Sequence, residues 1–240
     1  MGERIDIETA NGRIGGWLAL PDGKPRGGIV VIQEIFGINA HIRNVAERFA
    51  ALGYAALAPA LFDPAERDVE LDYNAEGIAR GRELVTAIGF DRAMQGISAA
   101  ADVLKEKHLR VAASIESPHR DVRSVAQDAR VAVVGYCWGG SLAFLAATRL
   151  ALPSVSYYGA RTMQFVSEKA QAALLFHFGE RDHSIPPADI AAIRAAQPQA
   201  EVHVWPAGHG FNCDMRADYD AASADKALAV TLAFLERELG

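Results

Sequence analysis

Apolar and polar positions alternate with a period of two at the start of the chain, then give way to short apolar runs separated by helical patterns. Ile5-Asp6-Ile7-Glu8 and Ile14 to Leu20 flank Asn11-Gly12, a dipeptide suited to a tight hairpin turn, so the chain is expected to open as an antiparallel pair. After a Pro-Asp-Gly-Lys-Pro turn, Gly28-Ile29-Val30-Val31-Ile32 reads as a buried strand. From Asn39, an N-cap residue type, Ile42, Val45, Ala46 and Phe49 recur at helical spacing until Gly53 stops them. Tyr54 to Ala58 is the next short strand, ended by Pro59. Leu61 to Tyr73 is polar and proline-punctuated, a surface loop leading to a helix, and Met94, Ile97, Ala101 and Leu104 mark the inner face of another helix. The stretch 107–130 is charged, contains Pro118, and is longer than the usual connection, so it reads as a surface insertion.

The second half repeats the same alternation. Val131 to Val134 is a fully apolar, mostly β-branched run followed by Gly135-Tyr136-Cys137-Trp138-Gly139-Gly140, and Ser141 to Leu150 is apolar enough for a buried helix. Ser154 to Gly159, Ala173 to Phe178 and Glu201 to Trp205 read as further strands, and Ala221 to Leu239 as a closing helix with Ala224, Leu228, Leu232 and Leu235 on one face. Strands alternating with helices predict one α/β domain over 1–240, a doubly wound and mostly parallel sheet with helices on both faces. No internal repeat, low-complexity tract or linker interrupts it.

Composition narrows the function. Thirty acidic against twenty-four basic side chains give a net charge of −6, which argues against a general affinity for nucleic acid or an anionic membrane surface. The sequence has no apolar run long enough to span a bilayer and no charged-then-apolar leader. Its two cysteines, Cys137 and Cys213, fit a reducing cytoplasm. A disulfide between them is open on sequence grounds and would abolish any thiol chemistry at Cys137. The expected partner is a small molecule, and the expected state is a monomer or small homo-oligomer.

Gly135-x-Cys137-x-Gly139 has the pattern of a nucleophile elbow, with cysteine where serine usually stands. A chain turning from strand to helix in so few residues strains the nucleophile's backbone, and its neighbours two positions away must lack side chains where strand and helix pack. The sulfur then sits at a helix N-terminus, where the dipole favours a thiolate. In open α/β sheets ligands sit beyond the carboxyl ends of the strands. Four reactive side chains follow predicted strands: Glu34, Cys137, Asp182 and His209. Nucleophile, acid and base come in the chain order of the α/β-hydrolase triad. Rival readings stand beside these roles: Asp182 as a cap for the helix near Pro186, Glu180 as the acid, another histidine as the base, and Glu34 in a salt bridge to a nearby arginine. The loop carrying Glu34 is also where such a hydrolase finds its second oxyanion donor, which assigns the backbone N–H groups of Ile35 and Trp138 to that role.

With these residues in view, the chain resembles the dienelactone hydrolase (carboxymethylenebutenolidase) family of the α/β-hydrolase superfamily. The likeness runs from Gln33-Glu34-Ile35-Phe36-Gly37 through the Cys137 elbow and Gly179-Glu180-Arg181-Asp182 to Gly208-His209-Gly210-Phe211. It implies a Cys137–His209–Asp182 triad with Glu34 nearby, no metal and no cofactor, acting as a cysteine hydrolase on a small lactone or activated ester. It also implies a resting thiol restrained by Glu34 until substrate moves that carboxylate. Phe36, Tyr136, Phe211, Arg82 and Arg216 are the expected substrate contacts. One departure bears on substrate: the family's carboxylate-binding arginine four residues after the catalytic histidine is Cys213 here. Either Arg216 or Arg82 holds a carboxylate by another route, or the substrate is not the usual dienelactone, and the missing guanidinium favours the second. A general esterase or thioesterase on the same scaffold is the alternative within enzymes. A redox protein pairing Cys137 with Cys213 is the alternative outside them.

Overall fold

The structure, a computed structural model, describes residues 2–109 and 130–240. The segment read as a surface insertion, 107–130, lies almost wholly outside the described residues. The opening alternation forms a hairpin of β1 (Glu3–Thr9) and β2 (Gly12–Ala19). Thr9 faces Gly12, so the two loop residues are Ala10 and Asn11 rather than Asn11 and Gly12. Gly12 opens the return strand at φ 108°, a backbone angle that glycine adopts without steric cost.

Apolar runs become buried strands. β3 (Gly28–Ile32), β4 (Ala55–Pro59), β5 (Val131–Tyr136), β6 (Ser154–Tyr157) and β7 (Leu174–Gly179) are buried at every residue, which requires cover on both faces of the sheet. β8 (Glu201–Trp205) is the half-exposed edge. The eight strands lie in the order β1-β2-β4-β3-β5-β6-β7-β8, with β2 antiparallel to both neighbours and the rest parallel. β5 therefore stands near the centre, with β3 on one side and β6 then β7 on the other.

The helices follow the predicted pattern with one change of scale. α1 (Ala40–Ala51) is capped by Asn39, whose side chain accepts from the Ile42 N–H. α2 (Ala75–Val103) joins the two helices expected there into one, broken at Gly89 (φ 68°), and runs into a π-helical turn over Leu104–Leu109. α3 (Trp138–Arg149) follows the elbow and is buried along nearly its whole length. α4 (Pro187–Ala196) and α5 (Ala221–Leu239) complete the domain, the latter capped by Asp220. Among the described residues, no helix is long and apolar enough to cross a membrane.

The core contains a histidine held neutral. His177 in β7 is fully buried, and its Nδ1 lies 3.1 Å from Trp205 Nε1, which can only donate. His177 Nε2 therefore carries the proton and meets Thr231 Oγ1 at 3.0 Å, itself 2.7 Å from the Tyr157 hydroxyl. Burial, helped by the neighbouring His203, pushes His177 down to about 3. Below an unfolded-state value of about 6.5 the unfolded chain takes up a proton that the fold refuses, so stability falls as pH drops from there towards 3. Urea unfolding at pH 6.5 and 4.5 is expected to show His177→Gln losing roughly 2–3 kcal/mol less over that interval than the wild type. Glutamine keeps one acceptor and one donor but cannot titrate. An equal loss in both proteins would contradict this account.

Candidate active site

The carboxyl ends of β3, β5, β7 and β8 bring the four reactive side chains to one place. Cys137, the residue between β5 and α3, has φ 55° and ψ −115°, a strained conformation for a non-glycine residue. The glycines on either side are needed for contact rather than flexibility. A Cβ on Gly135 would collide with the Gly139 carbonyl oxygen, and one on Gly139 would lie 2.5 Å from the carbonyl oxygen of Gln33. Strand, elbow and helix thus pack backbone to backbone against the β3 loop.

His209, in the loop after β8, places Nε2 3.2 Å from Cys137 Sγ and Nδ1 2.7 Å from Asp182 Oδ2. The Asp182 side chain is fully buried. Its other oxygen accepts from the Ser184 N–H at 2.8 Å, so the turn-forming role and the contact with His209 coexist. Asp182 does not cap α4, whose N-cap is Pro186. Burial works against an imidazolium at 209, but the Cys137 sulfur and the hydrogen-bonded Asp182 carboxylate outweigh it and raise His209 to about 10.

Glu34 follows β3 and is 1 % exposed. Its Oε1 pairs with Arg216 Nη1 at 3.2 Å, while Oε2 has no hydrogen-bond partner. The salt bridge weighed as the rival reading is therefore present, and the guanidinium that holds Glu34 lines the same cavity as Cys137. Arg216 belongs to the loop after β8 and reaches back to β3 because that loop is pinned. Asp214 Oδ1 lies 3.4 Å from Nδ1 of the buried His41 on α1, and Cys213 is hydrogen-bonded to Tyr73, which also accepts from Asn39 Nδ2. Arg216 thus occupies the pocket despite the thiol at 213.

The described residues contain one group able to bring three ligand atoms together: His41, Cys213 and Asp214, within 4.8 Å of one another. His41 Nδ1 and Asp214 Oδ1 face each other in the contact that pins the loop, while His41 Nε2 has no hydrogen-bond partner among the described residues. Burial and the nearby Glu34 push the Cys213 thiol up to about 11, which disfavours a free reactive thiolate at that position. Both cysteines are free.

A cavity of about 380 Å³ opens over the sulfur. Ile35, Phe36, Arg82, Trp138 and Arg216 are among the residues that line it. The backbone N–H groups of Ile35 and Trp138 donate to no carbonyl among the described residues and belong to residues that line the same cavity as Cys137. Tyr136 and Phe211 are corrections. Tyr136 is 2 % exposed and stacks on Tyr157 (centroids 4.8 Å apart), and Phe211 is fully buried against Tyr158 (5.4 Å). Both pack beneath the site because their positions direct the rings into the core. Residues not foreseen include Arg161, Arg181 and His183, which also line the cavity. They follow β6 and β7, so the rule that located Cys137, Asp182 and His209 would have located them too.

A central parallel sheet with a nucleophile elbow after β5, an acid after β7 and a histidine after β8 defines an α/β-hydrolase. Residues 14–239 match the model of the dienelactone hydrolase family. Carboxymethylenebutenolidase 1 of Cupriavidus pinatubonensis is 30% identical, over 98% of this chain and 97% of that protein, and the carboxymethylenebutenolidase of Pseudomonas putida is 31% identical, over 97% and 95%. Among solved structures, a dienelactone hydrolase-like promiscuous phosphotriesterase from metagenomic libraries superposes with a TM-score of 0.71 at 21% identity, covering all of this chain and 99% of that one, a likeness of fold. The chain belongs to the dienelactone hydrolase family, and it is a hydrolase of carboxylic esters or lactones.

Proposed function

We propose that the protein opens a small lactone or activated ester through an acyl-cysteine formed on Cys137. The observation that carries this reading is the unbroken contact from Cys137 Sγ through His209 to the buried Asp182, at 3.2 and 2.7 Å. The sulfur, having given its proton to His209, attacks the carbonyl carbon. The oxygen that becomes anionic is received by the N–H groups of Ile35 and Trp138. As the C–O bond breaks, the departing oxygen takes the proton from His209. In a lactone that oxygen stays attached to the acyl chain. Water, losing a proton to His209, then attacks the thioester, and the C–S bond breaks to return Cys137. Asp182 keeps the ring oriented and favours its protonated form throughout.

Arg216 supports a substrate carrying a carboxylate. Its guanidinium lines the cavity while paired to Glu34, so an incoming carboxylate competes with Glu34 for the same group and releases it beside the thiol. The missing arginine at 213 does not therefore argue against an acidic lactone.

Trapping tests the reading. Rapid mixing with a p-nitrophenyl ester followed by acid quench is expected to add one acyl mass at Cys137, and Cys137→Ala is expected to lose both the adduct and turnover by a factor on the order of 10³ or more. Turnover near wild type in Cys137→Ala would overturn the assignment.

A further inference from the structure

We infer that Arg161 and Arg181 form a second anion-binding pole in the active-site cavity, so that the substrate carries two carboxylates, one on each side of the scissile bond. This deepens the proposed function and rests on it. The sheet order supplies the geometry. Cys137 follows β5; on its β3 side the cavity is lined by Phe36, Arg82 and Arg216, whereas Arg161 and Arg181 follow β6 and β7, the next two strands on the opposite side. Both backbones are fixed there. The Arg161 N–H donates to Ser141 Oγ in the first turn of α3 at 2.9 Å, and the Arg181 N–H to the Ala207 carbonyl at 2.9 Å.

The charge at this end is only partly offset within the protein. Among the described residues four arginines line the cavity (Arg82, Arg161, Arg181 and Arg216), and the only lining acid is Asp218. Glu34, beneath, neutralises Arg216 alone. Arg82, Arg161 and Arg181 make no ion pair among the described residues, although Arg181 feels the charge of Asp220 in the next loop. The contrast lies across the Gln33–Gly37 loop, where a separate cavity of about 290 Å³ is also lined by arginines. There Arg4 is paired with Asp68 and Glu70, Arg43 with Glu70, and Arg67 with the Arg13 carbonyl. In a chain of net charge −6, a catalytic pocket with a surplus of unpaired guanidiniums at two poles concentrates anions over the nucleophile. Its volume suits a small diacid rather than a long chain.

The test compares three activated aryl esters: one neutral, one with a single carboxylate, and one with a carboxylate on both the acyl and the leaving part. Each carboxylate seated on a guanidinium is expected to raise kcat/KM on the order of ten- to hundredfold, so the diacid should exceed the monoacid as the monoacid exceeds the neutral ester. In Arg161→Gln/Arg181→Gln the step from monoacid to diacid should collapse to near unity. In the wild-type enzyme, raising ionic strength from 0.05 to about 0.5 M should shrink the same step, a readout that requires no variant. A diacid no better than the monoacid, or an advantage that survives the double substitution, would overturn the second pole. Acyl-Cys137 formation from the neutral ester judges the proposed mechanism separately, since it requires neither arginine.

Discussion

His209→Ala is expected to become acylated by an activated ester and then to stall, with release of the acyl group slowed by a factor on the order of 10³ or more. The reason lies in what each half-reaction asks of the imidazole. A sulfur at the N-terminus of α3 retains intrinsic nucleophilicity without a partner, and a p-nitrophenolate leaving group needs no proton. Water has neither advantage, and His209, in contact with the Cys137 sulfur at 3.2 Å, is the base proposed for it. Stopped-flow release of p-nitrophenolate should therefore show about one equivalent followed by a nearly flat line, and intact-mass spectra should show the acyl adduct persisting. Sustained turnover by this variant would remove His209 from the deacylation step.

The second large effect is on stability. Arg216→Met is expected to cost about 3–5 kcal/mol, because it leaves the carboxylate of Glu34, 1 % exposed, without its counter-charge. Methionine keeps much of the side-chain volume, so lost packing is a minor part of the cost. Adding Glu34→Gln to the same protein should recover most of the loss, since the buried charge is then gone. Chemical denaturation of the four proteins of this cycle measures the coupling directly. A double variant as unstable as Arg216→Met alone would mean that the arginine acts through the loop it belongs to and not through Glu34.

Much of the site was legible because its parts obey local rules. The run Val131 to Val134 followed by Gly135-x-Cys137-x-Gly139 specifies a strand, a strained turn and a helix within a dozen residues, and the structure supplies all three. Asp182 and His209 were found because each stands in the loop after a predicted strand, and parallel strands bring those loops to the same end of the sheet. The β-strands themselves follow from a period of two or from unbroken apolar stretches, signals that depend on neighbours a few positions away.

What the sequence could not decide depends on which distant strands and loops become neighbours. Tyr136 and Phe211 sit next to reactive residues in the chain, yet packing turns both rings into the core. Arg216 reaches Glu34 and the cavity because contacts to His41 and Tyr73, far apart in sequence, pin the loop and carry it back to β3. The strand order that seats β6 and β7 beside β5 turns Arg161 and Arg181 into walls of the same pocket. Local pattern therefore located the elements and the three residues that meet, Cys137, His209 and Asp182, whereas the partner of Glu34 and the charge of the pocket came only from tertiary packing.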